Sequence, residues 1–99
     1  MPFYPRVAKY LWALERLYTG EVERAELAML ARLAREVDWA YGPQRASVLQ
    51  AFLRALRAFR GYWGAKPEAV RLFEAIEREA EDFRFAELGV WGGGRGLAG

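Results

Sequence analysis

Residues 43–63 read PQRASVLQAFLRALRAFRGYW, and the fold follows from how this stretch is read. Val48, Phe52, Ala55, Phe59 and Tyr62 recur at the three- and four-residue intervals of one helix face, and Leu49 and Leu56 widen that face. Ser47, Gln50, Arg54, Arg57 and Gly61 fall on the opposite side. A strand would need apolar and polar residues in alternation, and AFLRALRAF does not alternate. Pro43 suits a first helical position, where its missing N–H is not needed. Gly42 breaks the chain before it, and Gly61 and Gly64 are stop signals after it. The stretch predicts one amphipathic helix, aromatic on one side and arginine-bearing on the other, with the remaining chain supplying helices that cover the aromatic stripe.

The same periodicity places three more helices. Met1–Tyr4 reads as an aromatic lead-in, and Pro5–Tyr18 as a first helix with Val7, Tyr10, Leu11, Leu14, Leu17 and Tyr18 inward. Trp12 falls on its far side with Lys9 and Arg16. Gly20 suits the end of that helix. A second helix is predicted over Glu21–Tyr41, with Glu21 and Glu23 favourable at its positive end. Its core face is expected to be Val22, Met29, Leu30, Leu33, Val37 and Tyr41, while Arg24, Arg32, Arg35 and Trp39 gather on the other side. Glu26 falls on the apolar arc, where it is expected to be wet or paired with Arg45 or Arg60. Pro67–Leu88 reads as a fourth helix with a narrow stripe of Ala69, Leu72, Phe73, Ile76, Ala80 and Phe83. Glu74–Arg78 and Arg78–Asp82 have the spacing of helical ion pairs. The expected architecture is all-α: a compact four-helix antiparallel bundle over residues 1–88, followed by a flexible glycine-rich tail, residues 89–99, with six glycines in eleven positions.

Charge is unevenly placed. Trp39 to Lys66 carries Arg45, Arg54, Arg57, Arg60 and Lys66 without one acid, +5 in a chain of net +2. The fourth helix carries seven acids against three arginines, a net of −4. A basic third helix against an acidic fourth can set the packing order, or join copies head to tail. Arginine outnumbers lysine thirteen to two and asparagine is absent; the excess of Arg and Glu suits a hot-growing source, and GC-rich codon usage would give the same pattern.

Composition excludes much chemistry. With no Cys and no His, disulfides, zinc fingers, thiol nucleophiles and imidazole acid/base catalysis are ruled out. Thr19 and Ser47 are the only side-chain hydroxyls besides tyrosine. No catalytic residue, cofactor or metal ligand is predicted. Charges interrupt every apolar window before the ~20 residues a membrane helix requires. The opening MPFYPRVAKY has no signal-peptide apolar region, so a soluble, cytoplasmic protein is expected.

Two resemblances bear on function. Glu23/Glu26 and Glu74/Glu77 resemble the acidic pairs with which small all-helical nucleotide pyrophosphatases hold Mg²⁺. Here Glu74 and Glu77 lie opposite their core stripe while Glu26 faces inward, so the pairs do not converge. Val37-Asp38-Trp39-Ala40-Tyr41-Gly42-Pro43-Gln44-Arg45, followed by a basic helix and by Leu72-Phe73-Glu74-Ala75-Ile76, resembles the small helical subunit of CRISPR ribonucleoprotein effector complexes. That resemblance implies phosphate contacts by Arg45, Arg54 and Arg57, and self-contacts along a filament.

The residues themselves predict a non-catalytic interaction subunit, docking through Trp12, Arg32, Arg35, Trp39, Arg45, Arg54 and Arg57 onto a protein partner or a second copy. Tryptophan and arginine are the residue types enriched at such interfaces. The alternative is binding of a nucleic-acid backbone by Arg32, Arg35, Arg54 and Arg57, since guanidinium groups match phosphate geometry and aromatics stack on bases.

Overall fold

Pro43 and Gly64 bound the longest helix, as the sequence predicts. The computed structural model describes residues 1–64 and 66–88 of the chain. Its helices are α1 (Phe3–Leu17), α2 (Glu21–Trp39), α3 (Pro43–Trp63) and α4 (Pro67–Phe83), and α4 runs on into a π-helical turn, Arg84–Leu88. Gly42 enters α3 at φ +51°, a backbone setting that a side chain disfavours, so the α2–α3 connection needs glycine there. Gly61 is no stop: it lies within α3 on the exposed side, and Gly64 caps the helix. The expected glycine-rich tail, 89–99, lies outside the described residues.

Consecutive helices run antiparallel in an up-down-up-down bundle. Phe3 at the start of α1 meets Asp38 at the end of α2. Arg45 at the start of α3 meets Val37, and Trp63 at its end meets Glu26. Arg6 of α1 meets Glu79 of α4, closing the ring. The core is aromatic at both ends. At one, the Phe3 ring lies 5.2 Å from Phe52, edge to face, and 5.3 Å from Phe83. At the other, Phe59 lies 5.3 Å from Tyr18 and 5.9 Å from Phe73. Such pairs add to the burial term of each ring.

Three helices differ from expectation in which residues they bury. α1 begins two residues early, so Phe3, read as lead-in, is fully buried. α2 buries Leu27, Leu30, Ala34 and Val37, whereas Val22, Met29 and Tyr41 are exposed and Leu33 is half-buried. In α3, Leu49, Phe52, Leu53, Leu56 and Phe59 are buried, and Tyr62 points out. The cause in α2 is a wide apolar arc, in which the large side chains run from Met29 and Val22 round to Leu27, so contacts with neighbouring helices choose which part of it turns inward. α4 has a single narrow stripe, and Ala69, Phe73, Ile76, Ala80 and Phe83 are buried as predicted, with Leu72 at the edge.

The charges of α4 reach other helices rather than one another. Arg6–Glu79 at 2.9 Å ties α1 to α4, and Arg60–Glu77 at 3.3 Å ties α3 to α4. The expected Glu74–Arg78 and Arg78–Asp82 pairs are not formed, and Arg84–Glu81 at 3.7 Å is the pair along the helix. Partly exposed pairs like these contribute at most about 1 kcal/mol each.

Among the described residues no helix start carries a local side-chain cap. The exposed backbone groups of helix ends are met from elsewhere in the fold instead. Asp38 accepts the N–H groups of Phe3 at 2.6 Å and Tyr4 at 2.9 Å. Lys66 donates to the Leu17 carbonyl at 2.8 Å, closing the end of α1. Arg45 Nε donates to the Val37 carbonyl at 3.1 Å in the last turn of α2. The Tyr18 hydroxyl donates to the Trp63 carbonyl at 2.6 Å, at the end of α3.

Burial, and then the carboxylates of Glu23 and Glu68, push the Tyr18 phenol above its ordinary pKa of 10.0. The folded protein therefore holds this proton to higher pH than the unfolded chain. The stability linked to it is fully present below pH 10.0 and is lost as pH rises through the folded-state value. Urea unfolding between pH 9 and 11 is expected to show a steeper alkaline loss in the wild type than in Tyr18→Phe. Parallel pH profiles would contradict this account.

Candidate interaction surface

The seven residues singled out from the sequence fall on separate parts of the surface. α2 turns one flank to α1, where Asp38 caps Phe3 and Arg35 stacks on Tyr4. It turns the other flank to α3, where Glu26 meets Trp63. Arg32, Arg35 and Trp39 follow the α1 flank at three- and four-residue intervals and are all exposed. Trp39 is 72% exposed. With Pro2, Tyr4, Pro5, Arg35 and Asp38 it lines a shallow, mainly apolar concavity of about 340 Å³. The Arg35 guanidinium lies 4.7 Å over the Tyr4 ring, and one of its nitrogens is 3.4 Å from the Tyr4 hydroxyl oxygen. Stacking of this kind holds a guanidinium flat while leaving its N–H edges free for an acidic group. Trp12, 58% exposed, stands on α1 at the side away from the Arg6–Glu79 contact with α4, and so on the same flank of the bundle.

Arg54 and Arg57 stand elsewhere. Arg54 points directly away from the buried stripe of α3, and Arg57 lies one turn before Arg60, the residue that reaches α4. Both are exposed, and among the described residues neither has an acidic partner within ion-pair distance. Arg54 shares a small concavity with Ser47, Gln50 and Ala51. Arg45 is half-buried, bonded to Val37 and placed 5.4 Å over the Phe83 ring, so its charge serves the junction of α2, α3 and α4. The bundle thus divides the residues expected to dock together into an aromatic and basic flank on α1/α2 and a purely basic edge on α3.

Glu26 proves to be paired, though not with Arg45 or Arg60. Its partner is the Trp63 indole N–H at 3.4 Å, while Arg60 binds Glu77. The Glu23/Glu26 and Glu74/Glu77 pairs sit on α2 and α4, which occupy opposite corners of the bundle. Among the described residues no three acidic side chains gather to hold a metal ion. Nor is any helix there long and apolar enough to cross a membrane.

Sequence reasoning missed two contributors. Asp38 was given no role, because its part in the fold depends on the start of α1, 35 positions earlier in the chain. Tyr4, with Pro2 and Pro5, forms the wall beside Trp39; the two prolines flanking an aromatic were the signal available. No family model matches the chain, and comparison with characterised proteins and with solved structures gives no match.

Proposed function

We propose that this protein is a non-catalytic interaction subunit that docks onto a protein partner through the α1/α2 flank. The observation that carries the reading is the pair of solvent-facing tryptophans, Trp12 and Trp39, beside the exposed Arg32 and Arg35. Burying one such tryptophan removes a large apolar area from water, and tryptophan and arginine dominate the energetics of protein interfaces. The partner has an apolar pocket for Trp39 and carboxylates for Arg32 and Arg35. Affinity capture with the tagged full chain is expected to retain a partner that Trp39→Ala loses at least tenfold and that 0.5 M salt only weakens. Equal recovery by wild type and Trp39→Ala would remove this reading.

Backbone phosphate binding is the second reading, and the unpaired Arg54 and Arg57 favour it. The resemblance to a ribonucleoprotein subunit belongs with this reading. Four phosphate contacts would make affinity fall roughly a hundredfold for a fourfold rise in salt. Fluorescence anisotropy of labelled single-stranded RNA and duplex DNA at about 50 and 200 mM salt tests it, with Arg54→Glu/Arg57→Glu abolishing binding. Absence of binding at the lower salt rejects it.

A further inference from the structure

The flank of α1 that faces α4 reads Arg6, Tyr10, Ala13 and Leu17 at three- and four-residue intervals, and α4 faces it with Glu68, Leu72, Ala75 and Glu79. The Arg6–Glu79 contact sets the register, so about two turns further along Ala13 comes level with Leu72. Alanine is the small residue of that flank, and the wall of α1 falls away there. It leaves a concavity of about 580 Å³, larger than the one beside Trp39. Ala13, Leu17, Pro67 and Leu72 give it an apolar lining. Leu17 and Leu72 are half-buried against the core, so the floor is held in place. Its polar lining is Arg16 from α1, and Arg71 and Glu68 from α4. Arg16 and Arg71 are exposed, and among the described residues neither has an acidic partner within ion-pair distance. The hollow is short. Tyr10, with the Lys9 ammonium 5.1 Å over its ring, stands one turn before Ala13. Lys66 stands at the other end, bonded to the Leu17 carbonyl. Between these two stops lies about 10 Å of helix.

We infer that this hollow binds a small monocarboxylate with a compact apolar body. The carboxylate lies between Arg16 and Arg71, and the body rests on Ala13, Leu17 and Leu72. The volume falls in the range of roughly 300–1,000 Å³ usual for small-molecule sites, which share an apolar lining with a few convergent polar groups. Guanidinium groups hold a carboxylate through paired N–H donors. Two of them, one from each helix over one apolar floor, set the sign of the head. Glu68 sets the size of its charge. Two guanidiniums and one carboxylate leave the lining at +1, which a monoanion balances and a nucleotide or polyphosphate exceeds. A helix or strand of a protein partner laid along the groove would overrun both stops. The site is separate from the α1/α2 flank that carries Trp12 and Trp39, and from the arginine edge of α3.

Two-dimensional amide NMR of the full chain titrated with sodium octanoate is the test. Acetate supplies the head without the body, and octylammonium the body with the opposite charge. Octanoate is expected to move the amide signals of residues 13–17 and 68–72 and to half-saturate at about 5 mM or below, as usual for a ligand of this size. Acetate and octylammonium are expected to leave those signals in place. Arg16→Gln/Arg71→Gln is expected to weaken octanoate about fivefold or more, and Glu68→Gln to tighten it about twofold by removing the one repelling charge. Ala13→Phe fills the hollow and is expected to abolish the shifts. None of these positions is buried, so the melting temperatures are expected to stay close to that of the wild type. Arg54→Gln/Arg57→Gln, which removes the same charge elsewhere, is expected to bind octanoate as the wild type does. No shift at these residues up to about 20 mM octanoate overturns the inference. Equal shifts with octylammonium overturn it by showing apolar contact without a choice of charge. Shifts that survive both Arg16→Gln/Arg71→Gln and Ala13→Phe overturn it, as does an equal loss in Arg54→Gln/Arg57→Gln, which would trace binding to net charge.

Discussion

Phe3→Ala is expected to lower the free energy of unfolding by about 3 kcal/mol or more, the loss usual for a phenylalanine deep in a core. A residue in the first turn of a helix would ordinarily fray at little cost. Here the side chain is fully buried, and its ring touches Phe52 of α3 and Phe83 of α4, so α1, α3 and α4 converge on it. Truncation opens a cavity that three helices cannot all close, because each is held by other contacts. Against a total stability of roughly 5–15 kcal/mol this is a large fraction. The melting temperature should fall by about 12 °C or more at 4–8 °C per kcal/mol. Phe85→Ala is the control: its ring is 63% exposed and its removal should change stability by less than about 0.5 kcal/mol. Urea unfolding that gave both variants the same small loss would show that the first turn of α1 is not part of the core.

Asp38→Ala is expected to cost about 2 kcal/mol. Its carboxylate accepts two backbone N–H groups at the positive end of α1. Hydrogen bonds to a charged group contribute more than neutral ones, and the helix dipole adds to them. Part of this is recovered because water can reach the freed N–H groups. Asp38→Asn keeps an acceptor and loses the charge, so about half the cost is expected. Asp38 and Phe3 secure the same turn, so the double variant should lose less than the two single losses combined. Strict additivity in urea titrations would mean that the cap and the ring act independently.

How much could be read beforehand depends on how each helix is marked. α3 is bracketed by Gly42-Pro43 and Gly64, and its bounds were legible to the residue. α4 has one apolar stripe among charges, so its buried face was legible too. α2 has a wide apolar arc, from Met29 and Val22 round to Leu27. Its inward face is chosen by Asp38 reaching α1 and Glu26 reaching α3, contacts that periodicity cannot contain. The site divides in the same way. Exposure of Arg32, Arg35, Arg54 and Arg57 was readable from their places opposite the apolar arcs. Their separation onto two faces was not, because it depends on which flank of α2 meets α1. Arg45 lies in a basic run, and only the folded chain shows its guanidinium turned to Val37 and Phe83.

The distribution of helix caps bears on how the chain comes apart. α1 takes its first-turn acceptor from α2, α2 takes a donor for its last turn from α3, and α3 takes one from Tyr18, just past the end of α1. The dependence is circular. No one of these three helices can unwind without stripping another of its terminal hydrogen bond, so they form a single cooperative foldon. α4 stands outside the circle: Lys66, just before it, serves α1, and among the described residues no side chain caps the start of α4. Sub-global opening therefore begins with α4 and its π-helical turn, and the other three helices exchange their amide protons together or not at all.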